Sequence, residues 1–368
     1  MRANRRSLRL GVRRASAGFS LIELMIALTL GLVVTAGIVQ LFVGNNRTNE
    51  LINGQSRLQE SARYALDFMS RSTRNAGFYG CDPDDDKIYN TLNADWNQLF
   101  ELDLQVPVEG FDGTGAGNAI GDWTPTLNEL PRNAGGSSPN AIIAGNGIDI
   151  DSLVPSSDIL VVRYQVPPGH RIATMVAPFD DPIVEDNGNV GFENGDYAVI
   201  SNCEQAALFQ VTNVSSGGGG VTLTRGTGVG VYANSAAKSL SEIGIEYGNA
   251  FDDQGSVVSE IVADIYFVAD GAGSNNRGAV TQALWRKRGT DAPLELVEGI
   301  SDLQVLFGID TTPNDNLSSA NRYVPFGGVG TNQIRSVRVT IEANTIDVVS
   351  DAATPISRRF TQTINVRN

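Results

Sequence analysis

Apolar residues crowd the start of the chain, thin to a one-sided pattern, and then give way to short alternating runs. From Phe19 to Val43 the side chains are apolar or small with few exceptions, and no charged residue occurs between Leu24 and Asn46. At about 1.5 Å of rise per residue, such a run crosses a hydrocarbon core about 30 Å thick. Beyond Gly44 the pattern becomes amphipathic: Leu51, Leu58, Ala62, Ala65, Leu66 and Met69 recur at helical spacing. Glu60, Arg63, Asp67 and Arg71 fall on the polar side, where they can pair three or four residues apart. The spacing predicts one helix from Phe19 to a glycine stop at Asn75-Ala76-Gly77. Unbroken, its 57 residues would extend about 85 Å.

From residue 158 onward the period changes to two. Strand-like runs occur over 159–166, 197–202, 208–214, 221–224, 261–268, 283–286, 303–309, 334–341 and 360–366, with turn residues between them. Val337, Val339 and Ile341 alternate with Arg338, Thr340 and Glu342, the signature of a sheet with one buried and one wet face. The Ser215 to Gly220 stretch, Ser-Ser-Gly-Gly-Gly-Gly, reads as a hairpin tip or a short linker. Between helix and strands, residues 82–157 are rich in Asp, Asn, Gly and Pro and lack periodicity, which predicts an irregular surface lobe. The expected divisions are thus 1–18, a basic leader; 19–43, an apolar helix; 44–80, its amphipathic continuation; 81–157, an irregular insertion; and 158–368, a β-rich body.

Charge sharpens this picture. The chain holds 27 basic and 41 acidic residues, but Arg2, Arg5, Arg6, Arg9, Arg13 and Arg14 all precede residue 19, where no acid occurs. Without those six the remainder carries 21 basic against 41 acidic residues, a net charge of −20. Such a surface repels a phosphate backbone, so nucleic acid is not an expected partner. The leading arginines place the N-terminus in the cytoplasm by the positive-inside bias, and the body on the other side of the membrane. Cys81 and Cys203, an even pair in an exported domain, form a candidate disulfide, and two unrelated thiols remain the alternative.

A secretory signal would carry its cleavage site after the apolar run, whereas here a glycine stands before it. Gly18-Phe19-Ser20-Leu21-Ile22-Glu23 resembles the processing motif of type IV prepilins and pseudopilins. The resemblance implies cleavage between Gly18 and Phe19 by a prepilin peptidase, methylation of the new Phe19 amino terminus, and retention of the apolar helix. A carboxylate in an apolar helix is costly unless partnered, so Glu23 is a functional candidate on physical grounds alone. In pilins the matching Glu is taken to pair with a neighbour's amino terminus, which would offset desolvation only in the correct axial register. The bland alternative is an interfacial Glu23 that reaches back to water. Many major pilins place a bending proline where this chain has Gln40, so any melting would fall at Gly37 or Gly44.

The last third adds a narrower resemblance. Ala283-Leu284-Trp285-Arg286, the segment from Leu296 to Asp310 and the segment from Ile334 to Val339 are similar to the PilW family of large minor pilins. This implies an α+β, type IV pilin-like fold, with the long hydrophobic helix packed on a mainly antiparallel β-sheet body. It implies a structural subunit that joins other minor and major pilins, a prepilin peptidase, an inner-membrane assembly platform and a tip adhesin. It also implies a single-pass inner-membrane precursor with a periplasmic body, then a place at the pilus tip, serving assembly initiation, twitching motility and adhesion. A J-type pseudopilin of type II secretion is the alternative within the class, and an anchored periplasmic binding or enzymatic domain the alternative outside it.

No catalytic residue, cofactor or metal is expected. His170 follows Pro167-Pro168-Gly169, a turn signal, and no nucleophile elbow accompanies it. Asp82, Asp84 and Asp86 have the alternate spacing of a calcium loop, but Lys87 stands where that loop needs Gly and Asn93 where it needs Glu. The glycine-rich stretches at 113–117 and 226–230 complete neither a dinucleotide fingerprint nor a phosphate loop. Glu298 and Asp302, four apart, are expected to pack or face solvent rather than act as an acid-base pair.

Overall fold

The computed structural model describes residues 18, 20–79, 87–96, 99–117, 122–125, 150–176, 181–185, 190–202, 205–217, 220–227, 232–240, 256–288, 291–312, 319–330, 333–348 and 354–366. The chain divides into two compact units, Met1–Asn53 and Gly54–Asn368. Helix α1 runs from Leu21 to Asn75 without interruption, so Gly37 and Gly44 both stay helical. In the first unit every residue of α1 from Leu21 to Glu50 is exposed.

In the second unit the amphipathic stripe does what its spacing predicts. Leu58, Ala62, Ala65 and Met69 are buried in the main core, and Leu66 packs at its margin. The helix stops where Gly77 takes φ +75°, a conformation that glycine adopts without a Cβ penalty. The Gly77 N–H then donates to the Arg163 carbonyl at 3.3 Å, tying the helix end to a neighbouring strand.

Thirteen of the described strands form one sheet: β1 (Ile88–Asn90), β2 (Val108–Gly113), β3 (Trp123–Thr124), β4 (Ile159–Gln165), β5 (His170–Val176), β6 (Asp181–Val184), β7 (Tyr197–Ser201), β8 (Ala206–Gln210), β9 (Asn213–Gly217), β10 (Gly220–Thr224), β11 (Val257–Ser274), β12 (Val280–Arg288) and β13 (Leu294–Glu298). Four more, β14 (Ile300–Ile309), β15 (Arg322–Val324), β16 (Ile334–Asn344) and β17 (Ser357–Asn365), form the second in the order β15-β14-β16-β17. Every pairing is antiparallel except β1 with β8. The body is therefore a mainly antiparallel sheet structure carrying the C-terminal part of α1, an α+β pilin-like fold.

Strand β11 organises the first sheet. Its start pairs with β7, its middle with β4 and its far half with β12. Both faces are covered, which explains its nearly continuous apolar reading. Val262, Tyr266 and Val268 join the core shared with α1 and the second sheet, while Ile265, Phe267 and Ala269 pack on Phe100, Phe111 and Trp123. In the second sheet Val337, Val339 and Ile341 lie opposite Phe307, Val305 and Leu303, all of them buried.

Several expectations change. The run 208–214 is two strands, because the chain breaks at Val211 and Thr212, whose N–H groups donate to Asp196 and Thr224. His170 is not a loop residue: it opens β5, half-buried, with its ring 5.9 Å from Phe192. Part of the 82–157 stretch is core rather than surface. Strand β2 pairs with β4, Phe111 and Trp123 are buried, and the buried Glu109 meets the buried Arg163 at 2.7 Å. Cys81, Cys203, Asp82, Asp84, Asp86 and Phe19 lie outside the described residues.

Candidate functional site

The N-terminal motif opens helix α1. Gly18 and Ser20 are exposed, and the Ser20 carbonyl accepts the N–H groups of Glu23 at 3.0 Å and Leu24 at 3.1 Å, closing the first turn. Glu23 is an acid in that first turn, where the positive end of the helix dipole favours a carboxylate. No side-chain partner for Glu23 occurs among the described residues. Ser20 and Glu23 stand at capping-box spacing, Ser-x-x-Glu, a second physical reason for this pair at a helix start.

Behind Glu23 lies an apolar rod. Leu21, Leu32 and Leu41 are 78%, 72% and 76% exposed, and the large apolar side chains between them are exposed as well. A patch of this size is far beyond what a soluble monomer leaves in water, so lipid or other helices must cover it. The hydroxyls of its threonines are already satisfied within the helix. Thr29 donates to the Ile26 carbonyl at 2.9 Å, Thr35 to Gly31 at 2.8 Å and Thr48 to Gly44 at 3.0 Å. Threonines bonded in this way can enter an apolar environment with no hydroxyl left unpaired. Glu23 is then the one charged side chain between Leu21 and Val43.

In the second unit a buried polar network holds the last turns of α1 to the sheet. The Ser72 hydroxyl donates to Asp264 Oδ2 at 2.9 Å and lies 2.6 Å from the Tyr266 hydroxyl, while Tyr164 donates to the same Oδ2 at 2.7 Å. Arg288 completes the set, with Nε donating to Asp264 Oδ1 at 2.7 Å and Nη2 to Oδ2 at 2.9 Å. Burial alone would raise the Asp264 carboxyl, but the Arg288 hydrogen bonds and charge outweigh it and hold the group below its ordinary range. Burial beside this carboxylate pushes the Tyr164 phenol up to about 12, so it stays protonated as a donor. The sequence reading missed these residues. Their signal was Asp264 itself, an acid inside the apolar run 261–269, which requires a buried cation nearby.

The other candidates do not converge on chemistry. Glu298 accepts from the Thr281 hydroxyl and Asp302 from the Gln304 amide, on strands of different sheets. His170 lines a cleft of about 340 Å³ with Val166, Pro167, Pro168, Phe192 and Glu260, and among the described residues no Ser, Thr or Cys lines it. Among the described residues no group of three or more His, Cys, Asp or Glu could hold a metal ion.

Two family models match the chain. Residues 13–39 match the prokaryotic N-terminal methylation motif, and residues 265–357 match the family described as Type IV Pilus-assembly protein W. The first defines the class, a type IV prepilin-like protein with an N-terminal membrane-type helix. The second supports the PilW family within that class, and hence a minor pilin related to the type IV pilus. Both matches indicate a structural protein. No curated protein and no solved structure matches the chain.

Proposed function

We propose that this protein is a minor pilin that helps initiate type IV pilus assembly and resides in a complex at the pilus tip. The observation that carries the reading is the conjunction, at one helix start, of Gly18, Glu23 and a fully exposed apolar rod. A prepilin peptidase cuts between Gly18 and Phe19 and methylates Phe19, and the precursor waits in the inner membrane with its body in the periplasm. The assembly platform then extracts the helix, and Glu23 pairs with the amino terminus of an adjacent major or minor pilin. That ion pair selects the register, because a carboxylate moved into an apolar bundle without its cation loses several kcal/mol on the upper estimates. The function is assembly, motility and adhesion through packing, with no bond made or broken by this chain.

Glu23→Ala and Gly18→Ala variants, expressed in cells lacking the native copy, are expected to reduce surface piliation. Mass spectrometry of the wild-type N-terminus is expected to show methyl-Phe19. Wild-type piliation in both variants, or an intact Met1 in piliated cells, would overturn this mechanism.

A further inference from the structure

The second sheet treats its two edges differently. On one side, β14 is covered: β15 pairs with Phe307, Gly308 and Ile309. Lower down, Ser157 and Asp158 take over, with the Asp158 N–H donating to the Leu303 carbonyl at 2.7 Å, Leu303 N–H to the Ser157 hydroxyl at 3.1 Å and Val305 N–H to Asp158 Oδ2 at 2.7 Å. On the other side, β17 pairs with β16 over all nine residues without a register shift, and among the described residues no strand pairs with its outer edge.

The register identifies the unpaired groups. Val366 N–H donates to the Arg335 carbonyl at 3.1 Å and Thr345 N–H to the Ile356 carbonyl at 2.9 Å, so even-numbered residues of β17 direct their amides to β16. In an antiparallel ladder the alternate residues point the other way. Ser357, Arg359, Thr361, Thr363 and Asn365 therefore present their N–H and C=O groups outward. A long, regular edge of this kind is a template for another strand unless it is short, bulged or capped. Strand β13, at one end of the first sheet, is managed in that way: it has five residues, its pairing carries a bulge, and its Glu295 and Glu298 are held by Ala272 and Thr281.

Charge identifies the partner. From residue 352 to residue 368 the sequence has Arg358, Arg359 and Arg367 and no acid, in a chain whose portion after residue 18 carries a net −20. Arg358 is exposed, and the Arg359 side chain, 73% exposed, holds Glu342 at 2.9 Å on the solvent face of the sheet. On the core face, Phe360 and Gln362 are only partly covered beside the buried Ile364. Building on the pilus-subunit reading, we infer that the outer edge of β17 is a docking edge that accepts an extended, acid-bearing strand from a neighbouring prepilin-type subunit. The partner strand carries a carboxylate beside Arg359 on the solvent face and, on the core face, apolar residues beside Phe360 and Gln362 with a second carboxylate at the Arg358 end. Main-chain bonds supply the attachment and the alternating side chains the choice of partner.

Proline substitution separates docking from folding. Thr361→Pro removes one outward N–H and leaves the β16 ladder intact, whereas Gln362→Pro removes an inward N–H that the ladder uses. In full-length protein, Thr361→Pro is expected to keep the wild-type unfolding midpoint and to lower the amount recovered in sheared pili at least tenfold. Arg358→Glu with Arg359→Glu is expected to do the same, and Gln362→Pro to unfold the body. Recovery of both folded variants in pili at the wild-type level would sink the inference while leaving the pilin reading standing. Absence of the wild-type chain itself from pili would instead refute the pilin reading. Normal recovery of Thr361→Pro with loss only of the double-glutamate variant would replace strand addition by a purely electrostatic contact.

Discussion

Asp264 is the residue on which the attachment of the helix turns. It is fully buried, and Arg288, Tyr164 and Ser72 all donate to its two oxygens. A carboxylate so enclosed is stable only because every lone pair that faces a donor is used, and because one donor is a cation with two N–H groups in fork geometry. Removing it strands the Arg288 guanidinium and leaves two hydroxyls short of an acceptor. Asp264→Ala is expected to destabilise the body by about 3–5 kcal/mol. Urea unfolding of the detergent-solubilised chain, followed by tryptophan fluorescence, checks this. A midpoint equal to wild type would show that the network is ornamental to folding. Glu23 poses the opposite case at the same scale: an exposed acid in the first turn of an apolar segment, with no side-chain partner among the described residues.

Helix α1 is one element in two environments. Its spacing carries the difference: between Leu21 and Val43 apolar residues occupy the whole circumference, whereas Leu58, Ala62, Ala65 and Met69 make a single stripe. An all-round apolar helix must be enclosed on every side, and a striped one needs only a sheet. The small residues in the stripe set the approach distance. Ala62 and Ala65 are 0% exposed, so there is no room for a longer side chain between helix and sheet. Ala65→Leu is expected to cost about 1–3 kcal/mol through overpacking. Tyr64→Ala, one residue away but 54% exposed, is expected to change stability by no more than about 0.5 kcal/mol. Thermal unfolding of the two variants side by side tests the packing; equal effects would mean that the stripe is not what holds the helix.

At the scale of the whole molecule, two sheets are joined through Asp158. Its carboxylate accepts the Gly113 N–H from β2 at 2.9 Å and the Val305 N–H from β14 at 2.7 Å. Burial pushes this carboxyl up to about 7; the two backbone donors offset only part of that, and Asp112 and Asp302 repel it further. Asp112, itself raised by burial to about 6, acts in the same direction. The folded state therefore keeps a proton up to about pH 7 that the unfolded chain releases near its ordinary value of 3.8, so stability falls as pH rises through that window and levels off above it. The unfolding midpoint is expected to decline between about pH 4 and about pH 7 and to level off above that. Asp158→Asn should flatten that decline, and an unchanged slope would remove Asp158 as its source. The sequence alone determined the class of this protein, because its N-terminal methylation motif is a contiguous local signal, and its uncharged run, stripe spacing and the alternation in β16 are local patterns that backbone geometry converts directly into elements. It did not disclose that Arg163, Asp264 and Lys287 lie buried within strands, that residues 108–113 belong to the core, or that His170 begins a strand. Those outcomes depend on which strands become neighbours, across 24 residues for Asp264 and Arg288, 54 for Arg163 and Glu109 and 186 for Lys287 and Glu101: a buried charge is admissible only where tertiary contact delivers its counter-charge, and the linear pattern contains no record of that meeting.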